Sequence, residues 1–143
     1  MKNTTEIGNV TEGAVLSALM KSGRVVLVPF GSQSGYDIVF EEKGKFFRVQ
    51  CKTGRLSSRG AIIFNLYTVV KDAETGKYQN RSYANEIDFF GVYYPGNQKV
   101  YLIPNQGIGD TICSLRLEAA KNGQTKGVKW AKDYELSAGI AQG

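Results

Sequence analysis

The chain has 143 residues and a formal net charge of +5, from 18 lysines and arginines against 13 acids, and it contains no histidine. The missing histidine excludes histidine-based acid–base catalysis and histidine-ligated zinc sites. No apolar run suits a signal peptide or a membrane span, and the two cysteines have neither disulfide-framework nor metal-ligand spacing. We therefore expect one domain over residues 1–143, soluble in a reducing cytoplasm.

Apolar residues at helical spacing predict a first helix that ends near Gly23. Glu12 is three and seven residues from Val15 and Leu19, so the same periodicity places it along the apolar stripe. A carboxylate directed at a core is costly unless it is paired or bound to a metal. Glu12 is therefore either a metal ligand or an acid at the edge of the stripe, paired with a lysine or a backbone group.

A hairpin is predicted from residues 37–41 and 45–52, which read as two strands joined by a two-residue loop. This register places Asp37 opposite Gln50, and Lys52 lies two residues further along on the same face. A carboxylate, a carboxamide and an ammonium group are thus expected to converge at one end of the hairpin.

That combination suits phosphodiester hydrolysis without histidine. A hard cation such as Mg²⁺ takes oxygen ligands, and one or two carboxylates together with phosphate oxygens can hold it. The cation lowers the pKa of a bound water, and a nearby ammonium can orient that water or stabilise developing negative charge.

The remaining segments predict the continuation of one mixed sheet. Strands are expected at 24–30, 61–70, 87–94 and 99–103, with a polar loop or hairpin tip at 71–81, a turn at 95–97 and a helix from about 112 to 121. Asp88 stands among apolar neighbours, either as a structural group or near the site. Trp130 and Tyr134 are spaced for one face of a helix, where packing is favoured over nucleic-acid binding.

A basic stretch surrounds the expected site. Residues 43–71 carry seven lysines and arginines and no acid. Such a surface is either a solvated face or a binding surface for a polyanion, and its position favours nucleic acid. Phosphate contacts are predicted for Arg55 and Arg59. The polar loop at 31–35 is predicted to line the path of the DNA strand through Ser32, Gln33 and Ser34.

These motifs together resemble the PD-(D/E)XK nuclease superfamily. The resemblance rests on Glu12 in the first helix, the sequence VPFG at 28–31, GYD at 35–37, VQCKTG at 49–54, EIDFFGVY at 86–93 and VYLIP at 100–104. Within the superfamily, the chain is similar to small endonucleases related to bacterial group I intron homing endonucleases and archaeal Holliday junction resolvases. The resemblance implies an α/β fold, a restriction-endonuclease-like mixed β-sheet flanked by helices, with a core at about 6–104 and a helical or irregular extension at about 105–143.

The resemblance also implies roles for residues. Glu12 and Asp37 would be metal-ligating carboxylates, joined by the backbone carbonyl of Cys51, and Lys52 would be the catalytic lysine. Gln50 fills a position where the superfamily usually has an acid, so it supplies an oxygen without a charge. The expected cofactor is Mg²⁺, with Mn²⁺ as a substitute.

Three functions remain open at this point. The favoured one is a metal-dependent DNA endonuclease of the sequence-specific homing or restriction-like kind. The alternatives are a structure-specific Holliday junction resolvase and a catalytically silent DNA-binding module that lost its site at Gln50. The expected partners are double-stranded DNA and further copies of the chain, as a dimer or tetramer.

Overall fold

The computed structural model describes residues 3–31, 34–109, 111–118 and 127–137. It has one α-helix, ten β-strands and two short 3₁₀ helices in these ranges. In chain order they are α1 (Thr4–Lys21), β1 (Val25–Leu27), β2 (Ile38–Glu42), β3 (Lys45–Thr53), β4 (Arg55–Leu56), β5 (Ala61–Asn65), β6 (Tyr67–Lys71), β7 (Tyr78–Ser82), a 3₁₀ helix (Ala84–Glu86), β8 (Phe89–Tyr94), β9 (Lys99–Pro104), β10 (Ile112–Arg116) and a 3₁₀ helix (Ala131–Asp133). No helix in these ranges is both long and apolar enough to cross a bilayer.

Helix α1 has clear local signals at both ends. The Asn3 side chain accepts a hydrogen bond from the Glu6 amide at 2.8 Å, which caps the first turn. Gly23 follows the end of the helix with a φ of 91°, as its predicted role as a stop requires. The buried residues of the helix are Thr11, Val15 and Leu19, which are four residues apart. This spacing turns Glu12 away from the buried line, so the predicted direction of Glu12 along the apolar stripe is wrong, and its side chain is exposed.

The main sheet has five strands in the order β1-β2-β3-β8-β9. The β3–β8 pair is parallel and the other pairs are antiparallel, which makes the sheet mixed. The β2–β3 hairpin has the predicted register, with Glu42 opposite Lys45. Lys43 and Gly44 both have positive φ, at 53° and 80°, which is typical of a two-residue hairpin turn.

The two faces of this sheet are covered differently. Helix α1 packs on one face through a cluster that includes Val15, Leu19, Phe40 and Val49. The helix comes close because the sheet has a glycine here, Gly91, where an added Cβ would lie 2.7 Å from a Val15 methyl carbon. The opposite face of β8 and β9 packs against a second sheet of three strands, in the order β10-β5-β4. The predicted α/β mixed sheet is confirmed, but its second cover consists of strands, and α1 is the one α-helix in the described ranges.

Part of the second face has no cover within the described residues. Paired residues on β1, β2 and β3 place two rows there: Val25, Glu41 and Phe46, then Leu27, Val39 and Arg48. Val25 is 58% exposed, Leu27 43% and Phe46 61%. We call these four apolar residues, Val25, Leu27, Val39 and Phe46, the open sheet face.

Three predicted elements need correction. The strand predicted at 24–30 is β1, only three residues long. The strand predicted at 61–70 is two strands, β5 and β6, which belong to different sheets. The helix predicted at 112–121 is wrong where the chain is described, since Ile112–Arg116 is strand β10. Buried Cys113 and Leu115 alternate there with exposed Ile112 and Ser114, a period of two that a helix cannot satisfy.

Two open questions about single residues are answered by contacts. Asp88 accepts a hydrogen bond from the Arg48 amide at 2.8 Å and pairs with its guanidinium at 3.1 Å. This pairing holds the pKa of Asp88 below its ordinary value and assigns Asp88 a structural role between β3 and β8. Tyr134 packs against the core beneath the second sheet, and Trp130 forms a bridge with Arg116, so packing is confirmed for Tyr134, although neither lies in an α-helix.

Candidate active site

Asp37 stands just before β2, where the hairpin ladder ends. The last ladder pair is Ile38 with Val49, so the predicted pairing of Asp37 with Gln50 does not form. The Asp37 amide instead donates to the Val49 carbonyl at 2.9 Å, and its carboxylate accepts from the Cys51 amide at 2.9 Å. Burial raises the pKa of Asp37, while the Cys51 amide and the Lys52 ammonium act in the opposite direction. The carboxylate is therefore fixed against β3 with one oxygen bonded to the backbone.

Lys52 lies on the face of β3 opposite helix α1. Its Nζ donates to the Tyr67 carbonyl at 2.8 Å and lies 4.8 Å from the centre of the Tyr83 ring. Burial lowers the pKa of Lys52 to about 8, against the smaller opposing effect of the Asp37 carboxylate. A lysine held in this way has a defined position and a proton that it releases more readily than a lysine in water.

Glu12 approaches the same region from helix α1. Its neighbour Thr11 is buried and its hydroxyl is 2.6 Å from the Thr53 hydroxyl, which fixes this turn of the helix beside the end of β3. Glu12 is exposed overall, but its partial desolvation beside the sheet raises the pKa of its carboxyl, and the nearby Asp37 carboxylate raises it further. The two carboxylates therefore repel one another, and a cation between them would relieve that repulsion.

Gln50 and Cys51 complete the region. The Gln50 amide nitrogen is 3.5 Å from the Cys51 carbonyl oxygen, and half a turn of the carboxamide would present its oxygen in the same place. The Cys51 side chain is buried on the helix face as predicted, and its thiol pKa is raised by burial and by the carboxylates of Asp37 and Glu12. The thiol therefore stays neutral, which leaves the backbone carbonyl of Cys51 as its candidate oxygen ligand.

Three of the predicted DNA-contacting residues are described by the structure, and all three are exposed. Ser34 is exposed and its hydroxyl donates to the Tyr36 carbonyl at 2.9 Å. Arg55 and Arg59 are both exposed, and Arg55 donates to the Asn65 side chain at 3.2 Å. Ser32 and Gln33 lie outside the described residues.

The partners of Lys52 were missed by the sequence reasoning. Tyr67 begins β6 and Tyr83 follows β7, so both lie at the base of the β6–β7 hairpin, 15 and 31 positions after the lysine in sequence. Tyr67 contacts the lysine through its backbone carbonyl and Tyr83 through its ring. No periodicity marks such a contact. The Thr11–Thr53 hydrogen bond was missed for the same reason, since two threonines 42 residues apart carry no motif.

The donor set of the site consists of oxygens. In the described ranges, no three side chains of His, Cys, Asp or Glu form a group that could hold a metal ion. The candidate ligands are instead two carboxylates, one carboxamide and one backbone carbonyl. Hard divalent cations accept such mixed oxygen ligands and complete their shell with water or phosphate oxygens.

Comparisons with known proteins agree with this fold. A family model described as PD-(D/E)XK endonuclease matches residues 2–137. A solved bacterial homing endonuclease has the same fold, with a TM-score of 0.74 and 22% sequence identity over 94% of this chain and 89% of that chain. No curated protein matches the sequence. Because the family model spans nearly the whole sequence, the chain belongs to the PD-(D/E)XK endonuclease family.

Proposed function

We propose that the protein is a metal-dependent DNA endonuclease that cuts at a specific sequence, in the manner of a homing enzyme. The observation that carries the proposal is the juxtaposition of Asp37 and Lys52. The Asp37 carboxylate accepts a hydrogen bond from the Cys51 amide, and the adjacent lysine ammonium is partly buried and donates to the Tyr67 carbonyl. A purely structural hairpin would have no need to place a partly buried cation beside a carboxylate that itself has a raised pKa.

The residues present fit Mg²⁺ or Mn²⁺. Glu12, Asp37 and the Cys51 carbonyl would hold the cation, with Gln50 as a neutral oxygen donor. The raised pKa values of both carboxylates support this assignment, because burial and, at Glu12, the nearby Asp37 carboxylate disfavour the charged forms that a bound cation would stabilise. A divalent cation bound there supplies a bound water of lowered pKa and neutralises charge on phosphate oxygens.

The side chains have separate roles in this proposal. Asp37 and Glu12 would hold the cation, and its positive charge would attract and position the scissile phosphate. Lys52 donates to the attacking water or to a phosphate oxygen as negative charge grows there, and the Tyr67 carbonyl orients it. Gln50 orients water through its carboxamide, and its neutrality leaves the site with two acids.

Duplex DNA is the substrate favoured by the basic segment at 43–71 and by the structural similarity to a homing endonuclease. The seven basic residues at 43–71 favour a polyanion, and the exposed side chains of Arg55 and Arg59 are available for phosphate contacts. The homing preference rests on the solved homing endonuclease of the same fold.

The test is cleavage of supercoiled, linear and four-way-junction DNA by the purified chain with Mg²⁺, Mn²⁺ or a chelator. We expect cutting of duplex DNA at a limited set of sequences with either metal and none with the chelator. Preference for the junction at every sequence would identify a resolvase instead. Salt-sensitive binding of a randomised duplex library, without cutting of any member, would identify a silent binding module.

We also propose that the chain acts as a homo-oligomer through the open sheet face. One small domain holds one site, so cutting both strands calls for a second copy. The open sheet face supports this contact because Val25, Leu27 and Phe46 are exposed apolar side chains on one surface of the sheet.

Phe46→Arg tests this contact. We expect light scattering to give a dimer or tetramer for the wild type and a monomer for Phe46→Arg, because a buried, unpaired guanidinium opposes association. Ile112→Arg is the matched control, since Ile112 is also an exposed apolar residue, at 48%, but lies on β10. A monomeric wild type, or an unchanged mass in Phe46→Arg, would contradict the proposed contact.

A cytoplasmic location remains part of the proposal. Cys51 and Cys113 are both buried as free thiols, which suits a reducing compartment.

A further inference from the structure

The β6–β7 hairpin is an exposed two-stranded ribbon whose base touches the proposed site. Among the described residues, the two strands pair only with each other, over five residue pairs from Tyr67 with Ser82 to Lys71 with Tyr78. Every residue of β7 is exposed, so the ribbon has no core of its own in its outer part. An isolated two-stranded hairpin is at best marginally stable in water. The ribbon therefore adds little to the stability of the fold, which favours a role in binding.

The base of the ribbon is tied to the candidate catalytic lysine. Lys52 Nζ bonds to the carbonyl of Tyr67, the first residue of β6, and lies over the ring of Tyr83, the residue after β7. The base of the ribbon and the Lys52 side chain therefore fix each other's position.

The two faces of the ribbon differ in their contacts. Thr68 bonds to Tyr83 and Arg81 pairs with Glu86, so the face that carries them is turned toward the domain. Side chains alternate along a strand, so the other face is directed away from these contacts. It carries Val69, Lys71, Tyr78 and Asn80, which we call the outer ribbon face.

The chemistry of the outer ribbon face suits the edges of base pairs. Lysine donates to guanine O6 and N7, asparagine makes two hydrogen bonds to adenine, and an apolar side chain contacts the thymine methyl group. Val69 is 54% exposed and Tyr78 70%, and the Lys71 ammonium lies 5.8 Å from the Tyr78 ring centre. A five-residue strand spans about 17 Å, and a two-stranded ribbon fits the major groove, which is about 12 Å wide.

The charges of the ribbon are compatible with a polyanion. Its cations are Lys71, Lys77 and Arg81, and its acids are Asp72 and Glu74 at the tip. The Asp72 carboxylate is engaged in the turn, where it accepts from the Glu74 amide at 2.7 Å and the Thr75 amide at 3.2 Å.

We propose that the β6–β7 ribbon enters the major groove beside the cut site and reads the target sequence through Lys71 and Asn80. This inference rests on the proposed DNA endonuclease function and names the element that would give it sequence preference.

The test uses a duplex library with a randomised central segment, incubated with the full-length chain and sequenced after binding and after cleavage. The variant is Lys71→Ala/Asn80→Ala, and the matched control is Gln79→Ala, an exposed side chain on the same strand but on the other face. We expect the wild type and Gln79→Ala to enrich the same sequence. The double variant should lose about tenfold or more of its preference at a few adjacent positions while still cutting.

The outcomes distinguish a failure of the ribbon proposal from a failure of the proposed endonuclease function. An unchanged sequence profile in the double variant, with the wild type cutting normally, would overturn the ribbon proposal alone. Loss of preference together with a smaller mass in light scattering would overturn it in favour of a subunit contact. A wild type that neither binds nor cuts any library member would overturn the proposed function, and the ribbon proposal with it. Melting temperatures of all three proteins guard against unfolding as the cause.

Discussion

Replacing Lys52 with methionine is expected to lower the rate of DNA cleavage by about 10²–10⁴-fold while the fold stays intact. Methionine keeps the length and much of the apolar stem of lysine but removes the donor that the Tyr67 carbonyl orients. Single-turnover cleavage of a duplex in Mg²⁺ measures the effect on the chemical step. The matched control is Lys45→Met, which removes an exposed lysine from the same strand and should change cleavage little.

The same variant gives a stability signature in the absence of divalent metal. The folded pKa of Lys52 is about 8, below the ordinary 10.5, because burial disfavours the charged form. Between these values the unfolded chain binds more protons at this position than the folded chain does, so rising pH adds stability in this window. Below about pH 8 the folded chain carries the full cost of holding this partly buried charge.

Urea unfolding at about pH 7 and about pH 10 tests this linkage. The wild type should gain stability relative to Lys52→Met as pH rises, whereas Lys45→Met should follow the wild type. Normal cleavage by Lys52→Met would remove the central claim about the site. A flat stability difference between wild type and Lys52→Met would show that Lys52 is not buried as a cation.

The hairpin was predictable because its signals are local. The Lys43-Gly44 turn fixes the register, and the alternation of residues along β3 separates buried Cys51 from Gln50 and Lys52. The family motif adds Glu12, although α1 turns that side chain outward from the buried line. Local chemistry and motif order therefore located the candidate residues without giving their contacts.

The contacts that complete the site are long-range, and the sequence carries no local mark of them. The parallel pairing of β3 with β8 and the second sheet of β10, β5 and β4 both join distant segments. The helix predicted at 112–121 failed for this reason, because β10 owes its burial to pairing with β5, which lies 47 or more residues earlier. The support of Lys52 by Tyr67 and Tyr83 likewise depends on how the ribbon folds back.

Asp37→Asn is expected to lower cleavage by about 10²-fold or more and to remove most of the stabilisation that Mg²⁺ or Mn²⁺ gives to the wild type. The asparagine oxygen can still accept from the Cys51 amide, so the end of the hairpin keeps its hydrogen bond. What the substitution removes is one of the two negative charges of the site. Melting temperatures measured across a metal titration give the binding effect independently of cleavage.

Without metal, Asp37→Asn should be at least as stable as the wild type. The pKa values of Asp37 and Glu12 are both raised, chiefly by burial, and Asp37 adds to the rise at Glu12. The folded state therefore binds more protons than the unfolded state above the ordinary carboxylate pKa values, and the wild type loses stability as pH rises through that range. Asp37→Asn should lose less, because one acid is gone and the pKa of Glu12 returns toward its ordinary value.

The combination of effects identifies what Asp37 does. Asp133→Asn, which neutralises an exposed acid on the second 3₁₀ helix, should change neither cleavage nor the metal-induced rise in melting temperature. If Asp37 were only structural, the Asp37→Asn protein would be less stable than the wild type. If Asp37 is a metal ligand, the variant protein loses metal binding and is at least as stable as the wild type without metal. If Asp37→Asn keeps the metal-induced rise of the wild type, the cation binds elsewhere and the ligand set of Glu12, Asp37 and the Cys51 carbonyl is wrong, even if cleavage is lost.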